Sequence, residues 1–361
     1  MKTLTFDQAF PRARLAATQE HMMDVWRGDA RRVYACIPAM DYSMLDDPAR
    51  QAESAARIIL RGGQYPGYNM PRLTADYGKY SVASYWGGRR YRAADGSLTI
   101  DPVARNADEA DALRDPDPPS SGDAARAAKL YLDVCDILRI EPFDKLWTTT
   151  IDFRGPLDAA ATLWEPNDFL AAMTKRPEAV HRFLDRVTDH LIALMEFSIA
   201  AAKNRVCGGV QPDIWLPSDL GVVMTEEFMS RLTPEEYAEF GIPYTLRIGG
   251  RFGGLFLRCG GAFARHLPGL RDCGVNLMGV EYTHPYTTLA DIYDVFEDSI
   301  VIVPKMGIKA RDEYASKAAF IGDLARGAPA EARLWFALRP EDRDFMIQMA
   351  IVQAHITSYR L

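Results

Sequence analysis

No apolar run in the chain approaches the roughly 20 residues that a membrane-crossing helix requires, so a helical membrane span is not expected. Positive charge is not in surplus either. Lys and Arg number 42 against 49 Asp and Glu, a formal net charge of −7. That balance argues against a nucleic-acid-binding face but leaves room for a local basic pocket. Cysteine is scarce, odd in number and scattered (Cys36, Cys135, Cys207, Cys259 and Cys273), with no Cys-x-x-Cys pair. A disulfide framework is therefore not expected, and a reducing cytoplasm is the default compartment. The opening residues Met1 to Gln8 turn polar too early for a secretory signal. Also missing are a Gly-x-Ser-x-Gly elbow, a His-Glu-x-x-His pair and a Gly-x-Gly-x-x-Gly turn behind an early strand. Gly249–Gly254 lacks the Gly-Lys-Ser/Thr ending of a phosphate loop and reads as a helix end followed by a turn.

What is present is an ordinary globular mix, 48% apolar and 25% charged, which excludes disordered and fibrous classes. A length of 361 residues fits either two domains or one large barrel with extensions. A helix is expected over 6–27, a strand over Val33 to Ile37, and turns and short hairpins over 61–105. Residues 114–122, rich in Pro, Asp and Ser, read as a linker or as a surface loop. From residue 124 onward, helices alternate with short β-rich runs at 146–153, 213–216, 255–257, 276–280, 300–303 and 334–337. The helix from Pro177 carries Val180, Phe183, Leu184, Val187, Leu191, Leu194 and Met195 on one stripe. Capping boxes open helices at Thr233–Glu236 and Thr288–Asp291.

With further strands near Val33 and 70–73 the units come to eight. That favours an α/β chain folded as a closed (β/α)8 TIM barrel over an open doubly wound sheet. The whole of 1–361 is then one barrel domain, with 1–120 an N-terminal elaboration that holds the first strands and 124–361 the regular units.

In such a barrel, chemistry belongs where strands end and helices begin. Cys259, in Leu257-Arg-Cys-Gly-Gly261, is either a mouth thiol suited to metal or nucleophilic work or a small buried space-filler. Glu281, at the end of the next strand, is either a partner of Cys259 on one ion or the ion-pair partner of Arg258 or Lys305. Asp219, just past the expected strand 213–216, reads as a substrate-binding carboxylate or base, or as a turn residue. Tyr282 and His284 would supply hydrogen bonds or proton transfer, although His284 precedes a proline and could only shape a loop.

The stretch from Trp147 to about Gly307 resembles the uroporphyrinogen decarboxylase superfamily. The likeness rests on Asp152-Phe-Arg-Gly-Pro156, Arg176–Arg186, Pro212-Asp-Ile-Trp-Leu-Pro-Ser-Asp-Leu-Gly221, Thr233–Tyr237, Cys259-Gly260 and Leu267–Val275. Thr99–Val103 and Ala107–Leu113 extend it. The first strand region, Arg31 to Asp41, lacks the Arg-Gln-Ala-Gly-Arg motif of the porphyrinogen decarboxylases. The resemblance is therefore closer to the cobalamin-dependent methyltransferases.

That likeness implies a barrel moving a methyl group between a small methylated substrate and a corrinoid or thiol acceptor, with the corrinoid on a partner protein. It also implies a homodimer. Its zinc ligands map onto Cys259 and Glu281, but the family's His position is Leu257, and 333–340 holds no cysteine. The expected site is Asp219, Cys259, Glu281 and His284 for catalysis, with Arg154, Trp215, Arg258, Tyr282 and Lys305 around the substrate. A decarboxylase or lyase with Arg154, Arg258 and Lys305 as an anion clamp is the alternative, as is a silent barrel that binds a tetrapyrrole or a partner.

Overall fold

The computed structural model describes residues 4–36, 38, 47–92 and 98–358. Ten strands occur among them: β1 (Arg32–Cys36), β2 (Arg72–Leu73), β3 (Arg90–Arg92), β4 (Leu98–Ile100), β5 (Trp147–Thr148), β6 (Val222–Thr225), β7 (Leu255–Cys259), β8 (Leu277–His284), β9 (Val301–Met306) and β10 (Arg333–Leu338). Six form a parallel sheet in the order β1-β10-β9-β8-β7-β6, and β2 and β5 form a parallel pair. The amide of Tyr68 donates to the Tyr34 carbonyl between β1 and β2, and the backbones of Arg154 and Thr225 bridge β5 to β6. These links close an eight-stranded (β/α)8 barrel. The antiparallel hairpin β3–β4 stands outside it, within the expected turn-rich stretch.

Alternation along the strands sorts side chains into two layers. Val33, Ala35, Val223, Phe256, Val301, Val303 and Trp335 fill the interior. Their neighbours Tyr34, Val222, Met224, Leu257, Val280, Ile302 and Leu334 face the helices. The base is plugged by the helix Arg12–Arg27, which inserts Met22, Val25 and Trp26 into the interior cluster. The Trp26 indole N–H donates to the Trp215 carbonyl, and Arg333 donates to the carbonyls of Val25, Trp26 and Asp298. The expected helix over 6–27 is interrupted at Phe10-Pro11, because proline cannot continue the preceding turn.

Helix 177–195 extends to Ala201, and its apolar stripe is buried as the periodicity predicts. Both expected capping boxes form. Ile37 and residues 39–41 of the first strand region lie outside the described residues.

One expectation fails. Residues 213–216 are not a strand. Val206 runs beside Thr148, and the chain then returns antiparallel, with Cys207 opposite Pro217. Ile214, Trp215 and Leu216 thus lie inside the lower barrel. The strand of this unit is β6, nine residues later. The apolar character of 214–216 reports burial in the interior, and the flanking prolines keep it out of a ladder.

Candidate active site at the barrel mouth

The C-terminal ends of β6 to β10 carry a ring of charged side chains. Inward positions on β6 continue to Glu227, and Glu227 Oε2 accepts the Gly260 N–H at 2.7 Å. On β7 the inward residue is Arg258. Its Nε donates to Glu281 Oε1 at 2.8 Å and its Nη1 to Glu227 Oε1 at 2.9 Å. Burial opposes the Arg258 charge, but Glu281 and Glu227 outweigh it and raise its pKa above the ordinary value. From β9, Lys305 Nζ stands 3.8 Å from Glu281 Oε1 and is 44% exposed, open to a ligand. Beyond β10, Arg339 pairs with Asp213, which also receives Arg72 at 3.1 Å.

Of these groups Asp213, Glu281, Lys305 and Arg339, together with Gln211 and Gln348, line one side of a cavity of about 180 Å³. Met306, Phe320, Ile321 and Phe336 line the other. A smaller cavity of about 50 Å³ lies deeper, against Asn69, Arg72, Trp215 and Trp335.

Behind the wall, between β6 and the helix Pro156–Leu163, two carboxyls are buried together. Glu226 Oε1 accepts the Asp158 N–H at 2.9 Å. The Asp158 carboxylate accepts the Phe228 N–H at 2.6 Å and Arg154 Nη1 at 2.9 Å. Burial pushes the Glu226 carboxyl well above its usual range, and the Asp158 charge adds to the shift. Asp158 is also raised by burial, with Arg154 pulling the other way. Glu226 occupies the N-terminal end of this helix, whose N-cap is Gly155 and therefore has no capping side chain. Arg154 also lies 3.5 Å from Asp152, so the Asp152–Pro156 motif connects this buried pair to the mouth.

The expected residues divide between the mouth and other parts of the fold. Glu281, Arg258, Lys305 and Arg154 are at the mouth, and Glu281 takes the ion-pair role with both Arg258 and Lys305. Cys259 is not. It is opposite Tyr282 in the β7–β8 register while Arg258 is opposite Glu281, so the thiol faces the helix layer. Burial pushes that thiol's pKa up, and the neighbouring Glu227 charge adds to the effect. Tyr282 faces the same outer layer, and its hydroxyl has no hydrogen-bond partner among the described residues. His284 is near the rim but turned outward, with Nε2 2.7 Å from Glu313 Oε2 and its ring against Tyr314 and Phe320. Asp219 is exposed in the loop that leads into β6, at the opposite end of the barrel from the mouth. Trp215 is buried in the lower interior, edge-on to Trp147.

A zinc centre does not fit this arrangement. Cys259 and Glu281 project from opposite faces of the wall. Among the described residues, no group of three or more His, Cys, Asp or Glu side chains could hold a metal ion. Sequence reasoning missed Glu226, Glu227 and Asp158. The signal available for the first two was the β-branched run Val222-Val223 ahead of Thr225-Glu-Glu227, bounded by Gly221.

A closed parallel barrel with a polar cavity at the C-terminal ends of its strands defines the (β/α)8 class, in which this face carries the ligand site. The chain belongs to the uroporphyrinogen decarboxylase family, whose model matches residues 90–306. Among solved structures, a methyltransferase from Methanosarcina mazei is similar in fold. It is 13% identical, with a TM-score of 0.69 and an alignment covering 95% of this chain and 99% of that one. No curated protein matches. No helix among the described residues is long and apolar enough to cross a membrane.

Proposed function

We propose that this barrel is a methyltransferase-type enzyme that takes a methyl group from a small methylated donor and passes it to a corrinoid carried by a partner protein, or to a thiol. The observation that carries this reading is the mouth cavity of about 180 Å³ above Glu281 and Lys305. It is small beside the usual 300–1,000 Å³ of drug-sized ligand sites, which fits a compact donor better than a tetrapyrrole. The full-length likeness in fold to a methyltransferase supports the same class.

Methyl transfer breaks the bond between the methyl carbon and a heteroatom of the donor. The bonding pair stays on that heteroatom, which then takes up a proton. Lys305, partly exposed and 3.8 Å from Glu281, is placed to deliver it. Arg258 holds Glu281 in position from below. The missing thiolate–histidine zinc set bears on donors and acceptors that need a metal-activated thiol, and methoxy and amine donors do not.

The test is to mix the purified chain with cob(I)alamin and a panel of methoxy, methylamine and methylthio compounds while following the cobalt absorbance. A donor-dependent spectral change, lowered about 100-fold in rate by Lys305→Ala, is expected. No change with any donor would overturn the reading.

A further inference from the structure

We infer that the chain has a second ligand site, behind β1 near the base of the barrel, which takes a small oxyanion on Arg14 and Thr18. The site is independent of the methyl-transfer reading.

The site is a cavity of about 330 Å³ lined by Arg14, Thr18, Tyr34, Tyr68, Gln353 and Ile356, among others. That volume lies within the usual range of small-molecule sites. Tyr34 faces the helix layer from β1. Arg14 and Thr18 stand one turn apart on the plug helix Arg12–Arg27, hence on one face of it. Gln353 and Ile356 come from the later turns of the helix Phe345–Ser358, which runs back from the mouth after β10. The cavity therefore sits toward the base, and it shares no lining residue with the mouth cavity.

Two of its walls lack an acceptor. Arg14 Nη1 donates to the Gly63 carbonyl at 2.7 Å, and Nη2 donates to the carbonyls of Tyr65 at 2.6 Å and Gly67 at 3.5 Å. These bonds fasten the turn after the helix Pro48–Gly62, but carbonyls carry only partial negative charge. The half-buried guanidinium forms no ion pair with a carboxylate among the described residues, and its Nε has no acceptor there. Thr18 is 3% exposed, and its hydroxyl has no hydrogen-bond partner among the described residues. A helical threonine can donate to the carbonyl four residues back, as Thr188 does to Leu184, and Thr18 does not. A charged donor and a neutral donor on one cavity, each short of an acceptor, match the oxygens of a carboxylate or a phosphate. A cation would be repelled by Arg14, and a neutral ligand would leave its charge unmatched. The rings of Tyr34 and Tyr68, edge to face at 6.1 Å, give the site a firm wall.

The experiment is calorimetric titration of the full chain at low ionic strength with inorganic phosphate and, separately, with benzoate. At least one of the two is expected to bind, and the tighter one tells a phosphorylated ligand from a carboxylated one. Arg14→Gln should weaken that binding at least tenfold. Thr18→Val keeps Arg14 and its carbonyl contacts, and it should weaken binding about threefold or more, with circular dichroism confirming that each variant folds. Lys305→Gln, at the mouth, should leave the affinity unchanged. In the parent chain the bound anion should also slow amide hydrogen exchange over residues 63–68, and less so in Thr18→Val, which keeps the test open if Arg14→Gln does not fold. Binding of neither anion, or an affinity that ignores Thr18→Val and falls in Lys305→Gln, would overturn the inference.

Discussion

Replacing Gly155 by alanine probes the connection between the Asp152–Pro156 motif and the mouth. A Cβ built at Gly155 would lie 2.1 Å from Glu226 Oε2, 2.7 Å from Glu226 Cδ and 3.0 Å from Met224 Sδ. The carboxyl cannot swing aside freely. It is buried, and it accepts the Asp158 N–H at the start of the helix. Overpacking of this kind costs about 1–3 kcal/mol. Leaving the buried Asp158 N–H without its acceptor adds about 1–3 kcal/mol. Gly155→Ala should therefore lower the unfolding free energy by about 3–5 kcal/mol, read from the urea midpoint at unchanged slope. Because Asp158 also holds Arg154, the variant should weaken ligand binding at the mouth as well. Glu226→Ala opens space for the methyl, so the double variant should be more stable than the sum of the two single losses predicts. A Gly155→Ala cost below about 1 kcal/mol, or strict additivity with Glu226→Ala, would refute the capping role assigned to Glu226.

Other consequences are simpler to check. Gly250, exposed near the end of helix Ile242–Phe252 with nothing within 4 Å of a built Cβ, should accept alanine with a gain of about 0.5–1 kcal/mol in urea unfolding. Cys259→Ala should leave methyl transfer within a few-fold of the parent rate, and in native thiol alkylation the half-buried Cys273 should react before the buried Cys259. His190 and His266 are held by burial at about 4, below the ordinary histidine value of 6.5. The unfolded chain binds the extra protons between those values, so stability is full above about 6.5 and is lost as pH falls toward 4, by on the order of 2–3 kcal/mol per group. His190→Phe should flatten part of that slope in urea midpoints measured from pH 7 to 4.5.

The barrel was legible in the sequence because its evidence is periodic and local. The stripe on the helix from Pro177, the capping boxes at Thr233 and Thr288 and the short apolar runs of β7 to β10 each appear where their patterns place them. The run 213–216 misled because an interior segment and a parallel strand are both continuously apolar, and hydropathy cannot separate them. The same ambiguity hid the orientation of Cys259. In a parallel sheet covered on both faces, inward and outward residues are equally apolar. Nothing in Leu255–Cys259 shows which face Arg258 takes until the interior partners Val223, Val301 and Trp335 are in place. Glu281, Arg258 and Lys305 were legible because a charge at the end of a buried strand has few places to go. Asp158 and Glu226 were not, since their pairing is between residues 68 apart across a turn and a strand.

The plug at the base also bears on how the chain is made. The helix Arg12–Arg27 is synthesised well before its partners, for its indole is anchored to Trp215 and its last turn to Arg333, contacts 189 and 307 residues distant. The strand that follows it, β1, pairs with β10. Until the final strand has been made, Met22, Val25 and Trp26 have no sealed interior to enter. Until then these three apolar side chains stay uncovered on the growing chain, a state prone to association with other chains. The closing step of folding is then the pairing of β1 with β10, and amide exchange protection at β1 should appear last and together with that of β10.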